Sequence, residues 1–201
     1  MPKGRLLAFS DGVIAILITI MVLELHTPEG TNWHALGHDL PVLLAYVLSF
    51  ANVGVYWNNH HHMLTAVHRV SGAALWANLF LLFWLSLIPF ATAWMSENHF
   101  PTVPVAAYGI VLLANGVAYV ILQLTLMRTE GDDSLLARAI GRDVKGKLSV
   151  VLYLAAVALA FVDRWIAIAL YIAVALMWFI PDPRIERVLS EAPDGQAGPV
   201  E

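Results

Sequence analysis

The chain of 201 residues is 59% hydrophobic and 13% charged, with a mean hydropathy of +0.71, far from the roughly 25% charge of a water-soluble domain. A formal charge of -4 and a pI near 6.0 leave no basic field for nucleic acid. Cysteine is absent, which excludes disulfides, thiolate catalysis and Cys-ligated zinc or iron.

The apolar excess falls in blocks of roughly 17 to 25 residues, the length a bilayer demands of a helix. The first block follows Met1-Pro2-Lys3-Gly4-Arg5 and has the outline of a signal peptide. However, Asp11 lies inside it, Glu24 interrupts its end and no small-residue cleavage site follows, so it reads as a retained span over 7–25. Thr27-Pro28-Glu29-Gly30 then precedes a second span over 41–63, and His68-Arg69-Val70-Ser71-Gly72 separates that from a third over 73–95. A fourth, 104–127, follows Asn98-His99-Phe100-Pro101. After the charged stretch from Arg128 to Lys147 come 145–162 and 165–180, divided only by Asp163 and Arg164. A single helix over 148–180 would be about 50 Å long and would bury that charged pair in mid-membrane, so a tight hairpin of two short helices is expected.

Backbone polar groups in lipid need internal partners, so the fold class is all-α: a six-helix membrane domain over 1–191, with a disordered Gly- and Pro-rich tail over 192–201. With six spans, Lys3, Arg5, Arg69, Arg128, Arg138, Arg142, Lys145, Lys147, Arg184 and Arg187 share one side, against Arg164 alone on the other. The positive-inside rule makes the first side cytoplasmic, with both termini.

Within the first span, Arg5 and Asp11 are costly at membrane depth and are expected to find partners on neighbouring helices. Ile16, Ile20 and Leu23 share a face beside Thr19, with Gly12 a turn earlier; by periodicity alone this stripe is helix packing or lipid contact. The second span ends Trp57-Asn58-Asn59-His60-His61-His62. Three consecutive histidines point 100° apart and cannot converge as zinc ligands, which suits a buried, hydrogen-bonding His60. His34 and His38, beside Asp39, form the only i, i+4 histidine pair and are expected on a solvated loop surface. Asn78 in the third span should bond across helices, joining Trp57, Asn59 and His60 in a polar cluster that holds Arg5 and Asp11. Phosphate loops and nucleophile elbows are missing, so no enzyme is expected, and the lack of intramembrane acids beyond Asp11 argues against a proton-driven pump with a carboxylate relay.

Arg5-x-x-x-Phe9-Ser10-Asp11 resembles the R-x-x-x-F-S-D signature in the first helix of the transmembrane protein 175 family of lysosomal-type potassium channels. Trp57-x-Asn59-His60-His61, Asn78 and Pro89-Phe90 are similar to that family in order and spacing. The resemblance implies a potassium-permeable channel without the T-V-G-Y-G filter, which this sequence lacks. It implies that four single-repeat chains surround one pore in the cell membrane, with no cofactor besides the permeant ion. Carried over from Asp11, the narrowest ring is Ile16, followed by Ile20 and Leu23 toward the outside, with Thr19 as a hydroxyl layer. Arg5, Phe9, Ser10, Asp11, Trp57, Asn59, His60 and Asn78 would brace the pore helix without touching the ion. One departure stands out: the acidic residue expected shortly before Asn78 is missing, and Ser71 and Gly72 stand there. An apolar constriction without carbonyl ligands implies modest preference for potassium over sodium. The alternatives are a proton-conducting channel, or a metal transporter or enzyme using His60, His61, His62 and His68.

Overall fold

The computed structural model describes residues 2–131 and 143–179. The segment 132–142, with Arg138 and Arg142, and the residues from 180 onward, with Arg184, Arg187 and the tail 192–201, lie outside the described residues. The elements are α1 (Lys3–Leu23), α2 (Trp33–Thr65), α3 (Gly72–Ser86), α4 (Ile88–Glu97), α5 (Thr102–Glu130), α6 (Val144–Leu159) and α7 (Arg164–Phe179), with no strand among the described residues. Helices α3 and α4 are one bent rod over Gly72–Glu97. Its bend falls at Leu87, just before Pro89, whose ring and missing N–H break the hydrogen-bond ladder there. Six helical rods therefore carry the six expected spans. Four of them, of 21, 33, 26 and 29 residues, are long and apolar enough to cross a bilayer. The last two are 16 residues each. They form the hairpin that Asp163 and Arg164 foretell, with the Asp163 carboxylate accepting the Trp165 N–H at 2.8 Å.

The start of α2 departs from expectation. It begins at Trp33, eight residues before 41, because Asn32 is an effective N-cap: its side chain accepts the Ala35 N–H at 2.9 Å. His34 and His38 are therefore on a helix and not a loop, and both are exposed there. Ser71 and Asp143 cap α3 and α6 in the same way. The corner between α4 and α5 is made by His99 and Phe100 at φ of 60° and 58°, a left-handed pair that non-glycine residues seldom adopt. Phe100 is held there by packing against Trp165, ring centroids 5.9 Å apart.

Helix α5 is the hub, packed against α3, α4, α6 and α7, whereas α1 lies against α2 and α3 with a lighter contact to α4. One close approach in the hub requires glycine: a Cβ at Gly109 would collide with the Tyr171 hydroxyl and Val157. That gap lets the Tyr171 hydroxyl donate to the Val105 carbonyl at 3.1 Å.

Contacts between helix ends sort the charges. Lys3 meets the end of α2, and Glu130 meets the α2–α3 turn, at one end of the bundle. His26 with Glu97, and Phe100 with Trp165, mark the other. Lys3, Arg5, Arg69, Arg128, Lys145 and Lys147 belong to the first end and Arg164 to the second.

Candidate functional site

Helix α1 has two faces of different character. Leu6, Ser10, Ile14, Leu17 and Met21 are buried, spaced by three and four residues along the side that meets α2 and α3. Arg5, Phe9, Gly12, Ile16, Thr19 and Leu23 are all exposed and follow the alternating spacing of a heptad seam. Ile20 lies beside that seam. Ile16 is 58% exposed, Leu23 78% and Ile20 39%, so these large apolar side chains contribute little to the protomer's own core. The Thr19 hydroxyl donates to carbonyls of its own helix, Ile16 at 2.9 Å and Ala15 at 3.1 Å. Its oxygen lone pairs therefore stay available as acceptors on the outward face.

Directional hydrogen bonds support the inward face. The Asn78 amide nitrogen donates to Ser10 Oγ at 3.0 Å, which turns its carbonyl oxygen toward His60 Nε2 at 2.7 Å. That order assigns a proton to Nε2 of His60. All three residues are fully buried, and His60 Nδ1 has no partner among the described residues. One residue further along α1, Asp11 accepts from Trp57 Nε1 at 3.0 Å. The α1 backbone is thus pinned by two consecutive side chains to two different helices, which fixes its rotation as well as its position.

Of the eight residues expected to brace α1, the structure brings together Ser10, Asp11, Trp57, His60 and Asn78. Asn59 is elsewhere: its amide donates to Val55 of its own helix at 2.8 Å, and its carbonyl accepts from Tyr119 at 3.3 Å, tying α2 to α5. Arg5 and Phe9 are exposed on the seam with Ile16, and the Arg5 side chain has no hydrogen bond or ion pair among the described residues. Position 5 lies on the outward face of α1, away from the polar cluster on its far side. His61 is exposed against Trp57, with ring centroids 6.1 Å apart. No three metal-ligating side chains converge among the described residues. Pro89 sits at the α3–α4 bend and Phe90 is exposed.

Two features escaped the sequence reading. Ser49, Thr92 and Tyr108 form a second buried polar cluster, with Ser49 Oγ 2.7 Å from Thr92 Oγ1 and 3.0 Å from Tyr108 OH. Ser49 lies eleven residues before His60, about three helical turns, on the same buried face of α2. The other is Glu130, which reads as an ordinary loop charge.

The family model described as endosomal/lysosomal potassium channel TMEM175 matches residues 5–89. The chain is 53% identical over 191 residues to a potassium channel of Chryseobacterium sp. (strain P1-3), covering 95% of this chain and 100% of that one. It superposes on the crystal structure of a lysosomal potassium-selective channel TMEM175 homolog from Chamaesiphon minutus with a TM-score of 0.78 and 30% identity. That match covers 89% of this chain and 96% of the other. Against the endosomal/lysosomal proton channel TMEM175 of Bos taurus it is 36% identical over 83 residues, 35% of this chain and 17% of that one.

Proposed function

The chain belongs to the TMEM175 family, a family of multi-pass membrane ion channels and not of enzymes, and from that premise we propose a potassium-permeable channel whose pore is lined by α1 of four identical subunits. The observation that carries this reading is the exposed seam of Ile16, Thr19 and Leu23, opposite a face of α1 anchored by hydrogen bonds. A helix serving only its own bundle has no need of such rotational control. Heptad spacing on the outward face suits parallel copies meeting around an axis. The potassium-channel names of the bacterial relatives support the choice of ion.

In this reading Ile16 forms the narrowest ring. An aliphatic constriction holds water poorly, so the ring closes the pore by dewetting and opens when its side chains separate. A cation passing it sheds much of its hydration, and the four Thr19 hydroxyl oxygens a turn further out return part of that coordination. Ile20 and Leu23 continue the apolar wall outward. Few oxygen ligands at such a ring give potassium over sodium selectivity that is real but modest. The six basic residues grouped at the end that holds the α1 N-terminus support, by the positive-inside rule, a cytoplasmic side for that end of a channel in the cell membrane. Potassium is cargo here, and the lipid bilayer and three further copies of the chain are the partners.

The test is potassium flux from liposomes holding the native chain or Ile16→Asn, beside empty vesicles. Ile16→Asn should raise flux and weaken selectivity; equal flux from both proteins would place the constriction elsewhere. The proton-channel name of the Bos taurus relative favours a second conductance, of protons along water that transiently threads the same ring. Proton flux that persists in potassium-free vesicles and rises with Ile16→Asn is its signature.

A further inference from the structure

We infer that Glu130, the last residue of α5, is a positioning residue for the pore helix: its carboxylate locks the α2–α3 turn and thereby holds the supports of α1 in register. Glu130 Oε1 accepts the backbone N–H of His68 at 2.9 Å and that of Arg69 at 2.6 Å. Both groups lie after α2 has ended and before α3 begins, so no helical carbonyl serves them, and two successive N–H groups make a small concavity suited to an anion. Thr129, the preceding residue of α5, donates to Ser71 Oγ at 3.2 Å. Ser71 in turn caps α3 by accepting the Ala74 N–H at 3.2 Å. The last turn of α5 therefore grips both the exit of α2 and the entry of α3.

Helix α1 reaches the same place. Lys3 Nζ donates to the Thr65 carbonyl at 2.7 Å, where the C-terminal carbonyls of α2 lack helical partners and favour a cation. Glu130 is the acid whose charge faces Lys3. His60 lies just over a turn before the end of α2, and Asn78 under two turns after the start of α3. The separation of those two helices at the turn decides whether Asn78 spans the gap from His60 to Ser10.

This inference rests on the channel reading, and planar-bilayer recording tests both. A carboxylate accepts such bonds about twice as strongly as a neutral amide, so Glu130→Gln loosens the turn while keeping shape and acceptor. Open probability should fall about three- to tenfold, with unitary conductance and reversal potential unchanged because Ile16, Thr19 and Leu23 are intact. Leu126→Ala, a buried truncation one turn earlier on α5, should lower the melting temperature without that fall. Two results would overturn the inference while leaving the channel reading in place. One is an open probability in Glu130→Gln equal to the native value; the other is an equal fall in Leu126→Ala at matched loss of thermal stability. A native protein that carries no potassium current overturns the channel reading and this inference together.

Discussion

The two halves of the bundle are held together by different means. Around α1 the inter-helix contacts are directional: Asn78 links Ser10 to His60, and Trp57 reaches Asp11. In the α5–α6–α7 half close packing dominates, beside two inter-helix hydrogen bonds, Tyr171 OH to the Val105 carbonyl and Trp178 Nε1 to Ser149 Oγ. Gly109 admits Tyr171, Tyr108 meets Tyr171 edge-on at 5.6 Å, and small residues such as Ala156 and Ala167 are fully buried between helices. In lipid there is no hydrophobic drive pulling one apolar helix onto another, so association depends on close packing and on polar bonds. Close packing holds a helix at a distance, whereas a pair of hydrogen bonds from adjacent residues also sets its rotation. On α1 two such bonds leave adjacent residues, Ser10 and Asp11, and they act on the helix whose outward face carries the proposed pore.

The contrast predicts which variants damage the fold and which damage conduction. The largest effect is expected from Gly109→Val, where overpacking against Tyr171 and Val157 should cost about 3 kcal/mol and most of the folded yield in detergent. The milder Gly109→Ala should be partly rescued by Tyr171→Phe, which removes the clashing hydroxyl, and the channels that survive should conduct normally. Asn78→Leu should cost less stability, about 1–2 kcal/mol, but should depress potassium flux per folded oligomer, since Ser10 and His60 both lose their partner. If flux per oligomer fell as far in Gly109→Ala as in Asn78→Leu, the division between packing and rotational control would be wrong. Trp57→Phe should cost about 0.5–1 kcal/mol with a smaller change in flux, because Asp11 is only half-buried and water can replace the lost donor. Ser49→Ala, in the polar cluster that joins α2, α4 and α5, should cost about 0.6 kcal/mol and leave flux unchanged.

The six rods and the α6–α7 hairpin were legible because hydropathy and a charged pair act over short stretches of sequence. The early start of α2 was not: it depends on the cap at Asn32, and a polar run holding Gly37 and Asp39 looks like a loop until that cap is known. In the site, the bond of Asn78 to a buried His60 followed from the cost of polar groups in lipid. The outward placement of Arg5 was open to the same 100° arithmetic that groups Ile16, Ile20 and Leu23, since Arg5 lies eleven residues before Ile16 on that face. Glu130 had no local signal at all, because its partners, His68 and Arg69, are about sixty residues away in the chain.

The absence of cysteine from the sequence makes the central claim open to direct test. Single cysteines at Leu23, Thr19 and Ile16, compared with one at buried Leu17, would be exposed to a charged, water-soluble methanethiosulfonate during potassium-current recording. A pore lined by this face of α1 gives rapid block at Leu23→Cys and Thr19→Cys, slower block at Ile16→Cys that speeds up when the channel is open, and none at Leu17→Cys. Current that persists unmodified at positions 16, 19 and 23 would put this face of α1 against lipid and the pore elsewhere.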